Sequence, residues 1–479
     1  MTAVAANPRR VGLVLALGGL LVVLDTTVVV VAVPAMVSGL HSSLSVISWA
    51  TTGYLLGVVA IIPAASWAAA RVGERRLYLL GLGVFTVASL AAGAAPTAAL
   101  LVVARVLQGL GGGLLNPVGQ AIGLRTVPRE GRGRMMSLLG LPVLIGPVLG
   151  PPMAGWLVDA VSWRAIFLIN LPVGLLAGVL CRRYVPPDLP DPQRRRGIDV
   201  VGLALLPAGA VVTVAGATLL GDPGASRAGA VAALVVGIVL LSAFVAHARR
   251  HARPLLALGL LRHRATGGGL AILVAFGAGY FGAIGVLPLV VQGVRGDPAA
   301  LAGALGVPSA VGVGVTLQIA TRLVDRIAPG RIVVTGTTIA LLGLVILAAA
   351  TATGARYPSL VGGSVLLGIG SGATLMPTMT AALRDLEGPD TADGATLMAL
   401  AQQLASALGV AAVTSALTWS LATVVDGGVA AMVRLTPAAR VGLAEPLAQA
   451  AAIGYVVPAV LVSLAVLMAA ANLRSGRSS

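Results

Sequence analysis

The chain has 479 residues, of which 57% are apolar and only 10% are charged, and its mean hydropathy is +0.98. Soluble chains carry about 25% charged residues, so this composition excludes an ordinary water-soluble protein and makes lipid the main solvent. A net charge of +16 would suggest nucleic acid in a soluble protein, but here the placement of the basic residues assigns it to membrane topology.

Apolar runs of about 20 residues, the length that crosses a bilayer, recur from end to end. They are predicted as helices near 11–36, 46–70, 77–96, 98–121, 135–158, 164–184, 200–221, 228–248, 266–292, 300–320, 331–352, 358–380, 395–424 and 451–472. The first follows a basic start, as in a signal peptide, but it is long and further spans follow, so it is expected to remain as an uncleaved helix. Glycine occurs 63 times and proline 28 times, often inside these runs. Membrane helices tolerate both where neighbours or water satisfy the freed backbone groups, and small residues let helices approach closely. Packing is the expected role of most of these glycines.

Every basic side chain is Arg, because the sequence has no Lys. With the N-terminus inside the cell, 25 of the 32 arginines fall in inner segments and six (Arg164, Arg227, Arg295, Arg356, Arg434 and Arg440) in outer ones, while Arg105 lies within a span. This is the positive-inside pattern. It implies an even number of spans and two cytoplasmic termini in a multi-pass inner-membrane protein.

The Arg- and Pro-rich stretch 182–199, RRYVPPDLPDPQRRRGID, is the clearest linker, and a second polar segment covers 249–264. The expected organisation is an N-terminal six-helix bundle at 1–184, a linker carrying two inserted helices at 185–264, and a C-terminal six-helix bundle at 265–479. Two echoes suggest that the bundles are related. SWAAARVGERRLYLLG at 66–81 is answered by TRLVDRIAPGRIVVTG at 321–336, and GLGGGLLNP at 109–117 by GIGSGATLMP at 368–377, with offsets of about 255 and 259 positions. Related halves are common in secondary transporters.

Without Lys a Walker A phosphate loop is impossible, so an ATP-driven pump would need its ATPase on another chain. The histidines (His41, His247, His251 and His263) fall in loops or at span ends, where no ligand spacing is read, so no metal site and no cofactor are expected. No Ser/His/Asp arrangement stands out either. The lone Cys181, at a span end, leaves no disulfide within the chain. An enzyme is therefore not expected, and the energy source is expected to be a gradient.

Of the 48 Asp, Glu and Arg residues, only Asp25 and Arg105 lie well inside a span. A charge at the bilayer centre costs at least about 2.5–3.5 kcal/mol on insertion scales, so such residues usually face the protein interior and serve a function. Asp25 is 11 residues from the outer end of the first span and Arg105 is 7 from the outer start of the fourth. At about 1.5 Å per residue their depths agree within roughly 6 Å, which allows a pair. Arginine stays charged, whereas a carboxylate responds to its neighbours. A motion that changes their separation could therefore couple protonation to access. A purely structural ion pair is the alternative.

At these residues the sequence resembles the fourteen-span drug:proton antiporter family of the major facilitator superfamily, an all-α polytopic membrane fold. LDTTVVVVAVP at 24–34 resembles its first-helix motif, with Asp25 as the acid. RVLQGLGGGLLNP at 105–117 resembles the fourth-helix motif, whose Arg is linked to proton transfer. GPVLGPPMAG at 146–155 resembles the antiporter motif, here carried by Gly146, Pro147, Gly150 and Gly155. WRAIFLINLPVG at 163–174 resembles the stretch entering the sixth span, and Gln292 and Gln402–Gln403 also look family-like. Departures occur in the loop between spans two and three, where a conformational latch is expected at Arg71, Gly73 and Arg75. Ala70 stands where the superfamily has Asp, Ser66 where Gly is usual and Glu74 where Arg is usual, while the second-half loop keeps Asp325 and Arg326. Val30 replaces a residue that is often polar.

The resemblance implies proton-coupled export of a drug, antibiotic or toxic metabolite by alternating access, with a single chain sufficing and with no nucleic acid involved. Uniport or metabolite export without protons, and a non-transporting membrane sensor, are the alternatives. One intramembrane acid and 3% aromatic residues offer little to a divalent organic cation, so the expected substrate is neutral or weakly charged and lipophilic. Gln108, Asn116, Gln120, Gln292 and Gln402 are polar groups in apolar spans that could line its cavity or bond between helices.

Overall fold

The computed structural model describes residues 7–42, 44–128, 131–188, 199–220, 225–251, 254–256, 258–323, 326–384, 386, 389–425, 432 and 435–475. All regular structure among them is helical, as a lipid-exposed chain requires, because a helix satisfies its own backbone hydrogen bonds. The long helices are α1 (Pro8–Gly39), α2 (Leu44–Ile61), α3 (Glu74–Gly93), α4 (Ala98–Arg125), α5 (Leu141–Ala160), α6 (Asn170–Tyr184) and α7 (Val200–Leu220). They continue with α8 (Arg227–Arg250), α9 (Arg264–Ile284), α10 (Ala299–Leu323), α11 (Pro329–Ala352), α12 (Tyr357–Gly372), α13 (Pro389–Ala422) and α14 (Ala444–Ser475).

Twelve stretches of the described residues are long and apolar enough to cross a membrane. The other two expected spans, 46–70 and 135–158, each include side chains outside the described residues, and each has an interruption in its helix. The first is α2, which passes at Ile61 into a 3₁₀ turn, Ile62–Ala64, that contains Pro63, and then into the short helix Ala65–Val72. The second divides at Gly140 into Arg132–Leu139 and α5, which has Pro142 in its first turn. Proline lacks the N–H that would continue the ladder, so both breaks follow from sequence.

The helices form two units. One comprises Met1–Val211, Gly237–Leu258 and Gly388–Leu400, and the other Val212–Val236, Gly259–Glu387 and Ala401–Ser479, so α7, α8 and α13 contribute to both.

In the first unit α4 packs between α2 and α3, and α1 packs on α5 and α6. Glycines set the closeness of the α4 contacts. A methyl group at Gly109 or Gly113 would strike backbone atoms of α2 (Tyr54, Val58), and one at Gly111 would strike α3 at Gly81 and Phe85. The second unit repeats this 259 positions later. Gly368 and Gly372 abut backbone atoms of α10 at Ser309 and Val313, and Gly370 abuts α11 at Gly336 and Ala340. The sequence echo is thus also a packing echo: the spacing i, i+2, i+4 places small residues on opposite flanks of one helix. Large apolar side chains such as Leu80, Val87, Leu175 and Val179 stand exposed, where lipid is the natural neighbour.

Candidate functional site

Asp25 and Arg105 meet in the first unit. An Arg105 Nη1 donor lies 2.5 Å from Asp25 Oδ2, and the two side chains are 0% and 1% exposed. These exposures decide the matter, because two charges fully removed from water must satisfy each other and their remaining valences. The Arg105 Nε donates to the Ala50 carbonyl of α2 at 3.1 Å, and its Nη1 also donates to Gln108 Oε1 at 2.8 Å. Its guanidinium lies 4.4 Å from the Tyr54 ring centroid and 5.7 Å from that of Phe167, within cation–π range.

The second carboxylate oxygen is equally occupied. Asp25 Oδ1 accepts from Gln108 Nε2 at 2.8 Å and from Asn170 Nδ2 at 3.1 Å. Both amides also donate to Ser89 Oγ, at 3.1 and 3.0 Å, and Ser89 passes its own proton to the Phe167 carbonyl at 2.9 Å. Ser89, Gln108 and Asn170 are buried. Each of these three hydrogen-bond partners of Asp25 is an N–H donor, an arrangement that suits an ionised carboxylate.

Local sequence supports this centre. Thr26 and Thr27, which follow Asp25, turn their hydroxyls back onto the Val23 and Leu24 carbonyls at 2.8–3.1 Å. Gly146 and Gly150 of α5 let that helix press against α1 at Val23 and Thr27, one turn apart and on either side of Asp25, whereas Gly155 faces open space. The Pro147 side chain lies outside the described residues.

Of the expected cavity residues, Gln108 belongs to the ion-pair network: its amide is taken by Arg105, Asp25 and Ser89. In the same unit Asn116 is exposed and Gln120 half-buried. In the second unit Gln292 is exposed and Gln402 half-buried. Sequence reading missed Tyr54, Ser89 and Asn170. Asn170 is the one amide inside the string entering the sixth span, but nothing in that string ties it to the acid, and nothing marks Ser89 or Tyr54 among the other polar residues of their helices.

The latch region is built differently from expectation. Gly73 has φ +96°, a left-handed value that glycine adopts without strain. Asp188, from beyond α6, lies against it and accepts from the Arg75 and Arg76 amides at 2.9 and 3.2 Å. A carboxylate distant in sequence thus caps α3 where Ala70 cannot. Arg75 also donates to the Arg182 carbonyl, and Glu74 pairs with Arg125 of α4 at 3.2 Å. Arg71 is exposed, with its guanidinium 5.5 Å from the Trp67 ring centroid. Arg326 is exposed, and Asp325 lies outside the described residues.

The histidine reading needs correction. His247 and His251 are four apart, hence on one helix face, and their rings lie 5.1 Å apart. His247 Nε2 lies 2.7 Å from Asp199 Oδ1, and the three side chains form a cluster whose ligand atoms all fall within 4.8 Å. Burial opposes ionisation of Asp199, but hydrogen bonds from the Gly202 amide, His247 and the Leu255 amide outweigh it and hold the carboxyl below its usual range.

Comparison with known proteins agrees with this architecture. The family model for the Major Facilitator Superfamily matches residues 15–410. The chain is 36% identical over 422 residues to the "Multidrug resistance protein B homolog" of Mycobacterium tuberculosis (strain ATCC 25618 / H37Rv), covering 87% of this chain and 78% of that one. Among solved structures, a proton:xylose symporter, XylE, superposes with a TM-score of 0.63 at 15% identity, covering 96% of this chain and 94% of that chain. The human organic anion transporter MFSD10 superposes with a TM-score of 0.61, also at 15% identity, covering 97% and 99%. At such identities these two likenesses concern the fold alone.

Proposed function

This chain belongs to the major facilitator superfamily, and from that premise we propose that it is a proton-coupled antiporter exporting small lipophilic compounds. It is a membrane transporter rather than an enzyme. Export is supported by the name of its mycobacterial relative, a multidrug resistance protein homolog. Proton coupling rests on one observation: a wholly buried Asp25–Arg105 pair whose surroundings consist of hydrogen-bond donors.

In that pattern each hydrogen-bond partner of Asp25 is an N–H donor. If Asp25 were protonated, its new O–H would face the guanidinium and amide N–H groups that now donate to it, and would need an amide to turn its oxygen inward. Proton uptake and this arrangement therefore compete. Protonation releases Arg105 or turns an amide, and restoring the pair expels the proton. Coupling follows if the bundle holds the pair together in one access state and parts it in the other, as a transporter with related halves can. Substrate and proton then take turns through a common change of access.

The same reading completes the topology. All fourteen long helices cross the membrane, α2 and α5 included, with α7 and α8 as a pair inserted between six-helix bundles at 1–184 and 265–479. Both termini are cytoplasmic, and a monomer suffices. The latch of the first half is carried by Arg71, Gly73 and Arg75 together with Asp188 and the Glu74–Arg125 pair, and that of the second half by Asp325 and Arg326. Asn116, Gln120, Gln292 and Gln402 offer polar contacts to a mostly apolar substrate.

The test uses proteoliposomes with an imposed pH gradient and a neutral lipophilic dye. Wild type accumulates dye in the lumen against its gradient and alkalises the lumen in step, as protons leave in exchange, and a protonophore abolishes both. Asp25→Asn abolishes proton movement. If dye merely equilibrates in wild type, indifferent to protonophore, the protein is a uniporter and the coupling is wrong.

A further inference from the structure

Outside the ion-pair centre, one cluster of ligating side chains has no role in the transport cycle above. Asp199 precedes the first residue of α7, and its carboxylate is fixed by backbone donors on both oxygens: Gly202 N to Oδ1 at 2.7 Å and Leu255 N to Oδ2 at 2.9 Å. His247 lies in the last turn of α8 with its Nε2 2.7 Å from Asp199 Oδ1. The His251 amide bonds to the His247 carbonyl at 2.9 Å, so the helical path continues and sets His251 one turn beyond on the same face. Its ring is tilted 35° to that of His247 at a 5.1 Å centroid separation. The Asp199 side chain is buried, His247 half-buried and His251 exposed, so the cluster is anchored inside and open outside. A shallow groove lined by Ala243, Ala246, His247, Arg250 and His251 leads to it.

We propose that Asp199, His247 and His251 form a binding site for a borderline divalent transition-metal cation, Zn²⁺ above all. Two imidazoles and one carboxylate are the donor set of open tetrahedral zinc sites, with a water as fourth ligand. A carboxylate oriented by backbone N–H groups supplies the outer-sphere support that such sites need. Ligand atoms spread over 4.8 Å must draw in to about 3.3 Å around an ion bound at about 2.0–2.2 Å. The exposed His251 ring turns inward, and the 2.7 Å His247–Asp199 contact opens to admit the ion. The site selects against Mg²⁺ and Ca²⁺, which favour all-oxygen shells. Arg250 in the groove and Arg249 beside it repel cations, so the ion is held less tightly than in a closed structural site. Bound metal ties the start of α7 to the end of α8 and to the Leu255 segment. This occupancy is independent of the proton-coupled reading.

The experiment is a Co²⁺ titration of the purified full-length chain in detergent, free of polyhistidine tag and stripped with chelator, with Zn²⁺ as competitor. Wild type develops the intense visible bands of four-coordinate cobalt, saturating at one equivalent, and zinc removes them. His251→Ala, at an exposed position that leaves folding intact, weakens binding at least about tenfold, and Asp199→Asn does the same. His263→Ala leaves it unchanged. Absence of saturable bands in wild type overturns the proposal, as does unaltered binding in His251→Ala, which would put the ion elsewhere. Circular dichroism and gel filtration of each variant exclude unfolding as the cause of lost binding.

Discussion

Removing one member of the Asp25–Arg105 pair should do more harm than removing both. Arg105→Gln deletes the 2.5 Å charge contact and the Ala50 bond, leaving a carboxylate at 0% exposure held by two neutral amides. Breaking a buried pair this way costs about 3–5 kcal/mol, roughly a factor of 10²–10³·⁵ in the folded-to-unfolded ratio. Asp25→Asn strands the guanidinium and costs about the same, softened by the Tyr54 ring 4.4 Å away. The double variant leaves no orphan charge. Its amides can bond to Gln108, Asn170 and Ser89, so it should lose only about 1–2 kcal/mol, the scale of unmade neutral hydrogen bonds. SDS titration of the purified protein in mixed micelles, followed by tryptophan fluorescence, gives the four stabilities of the cycle. Proteoliposome assays of the same samples should show proton-coupled export absent from all three variants, including the refolded-looking double. If the two single losses add to the double within about 0.5 kcal/mol, the residues are not coupled and the mechanism built on them collapses.

Further outcomes follow from neighbouring geometry. Asn170→Asp, which sets a second carboxylate where an amide donates to Asp25 at 3.1 Å, should cut export at least about tenfold with expression retained, because like charges this close repel strongly; wild-type export in that variant would remove Asn170 from the mechanism. Gly109→Ala drives a methyl group into the Tyr54 carbonyl and should lower stability by about 1–3 kcal/mol or more, whereas Gly83→Ala, with open space around it, should be neutral or gain up to about 1 kcal/mol. Equal melting temperatures for the two would refute the packing account. Asp188→Ala should uncap α3 at a cost of about 0.5–2 kcal/mol, seen as faster hydrogen exchange at the Arg75 and Arg76 amides alone. For Asp199, whose carboxyl sits below its usual range, the stabilisation exists above about pH 4 and disappears as pH falls through the lowered value. The melting difference between wild type and Asp199→Asn should therefore be steady near neutrality and shrink toward zero in stronger acid; a constant difference down to pH 3 would contradict this.

How much of this was readable in advance depends on the range of the interaction. Helices and their order follow from apolar run length, a local property, so the described helices fall where the hydropathy places them. Breaks within runs came from single residues, Pro63 and the Gly140–Pro142 turn, whose effect on a span a window average conceals. The meeting of Asp25 with Arg105 was legible because charge is so scarce in lipid that two isolated ions at similar depth point to each other. Their neutral partners were not. Ser89 and Asn170 carry polar groups of the kind found throughout the chain, and only three-dimensional packing shows which of them reach a carboxylate. The same holds for Asp188 and Asp199, acids in or beside a charged linker, where sequence gives no reason to prefer one over another as a cap or as a partner for His247.

Five helices of the first unit have a stake in the bonding around Asp25: α1 through the acid itself, α2 through the Ala50 carbonyl, α3 through Ser89, α4 through Arg105 and Gln108, and α6 through Asn170. A hub wired this way cannot be disturbed at one spoke. Whatever event alters the acid is announced to five rods simultaneously, and the sixth, α5, rests its glycines on the rod that bears it. One atom of hydrogen is thereby given leverage over a whole bundle, with no relay of intermediate steps along the chain.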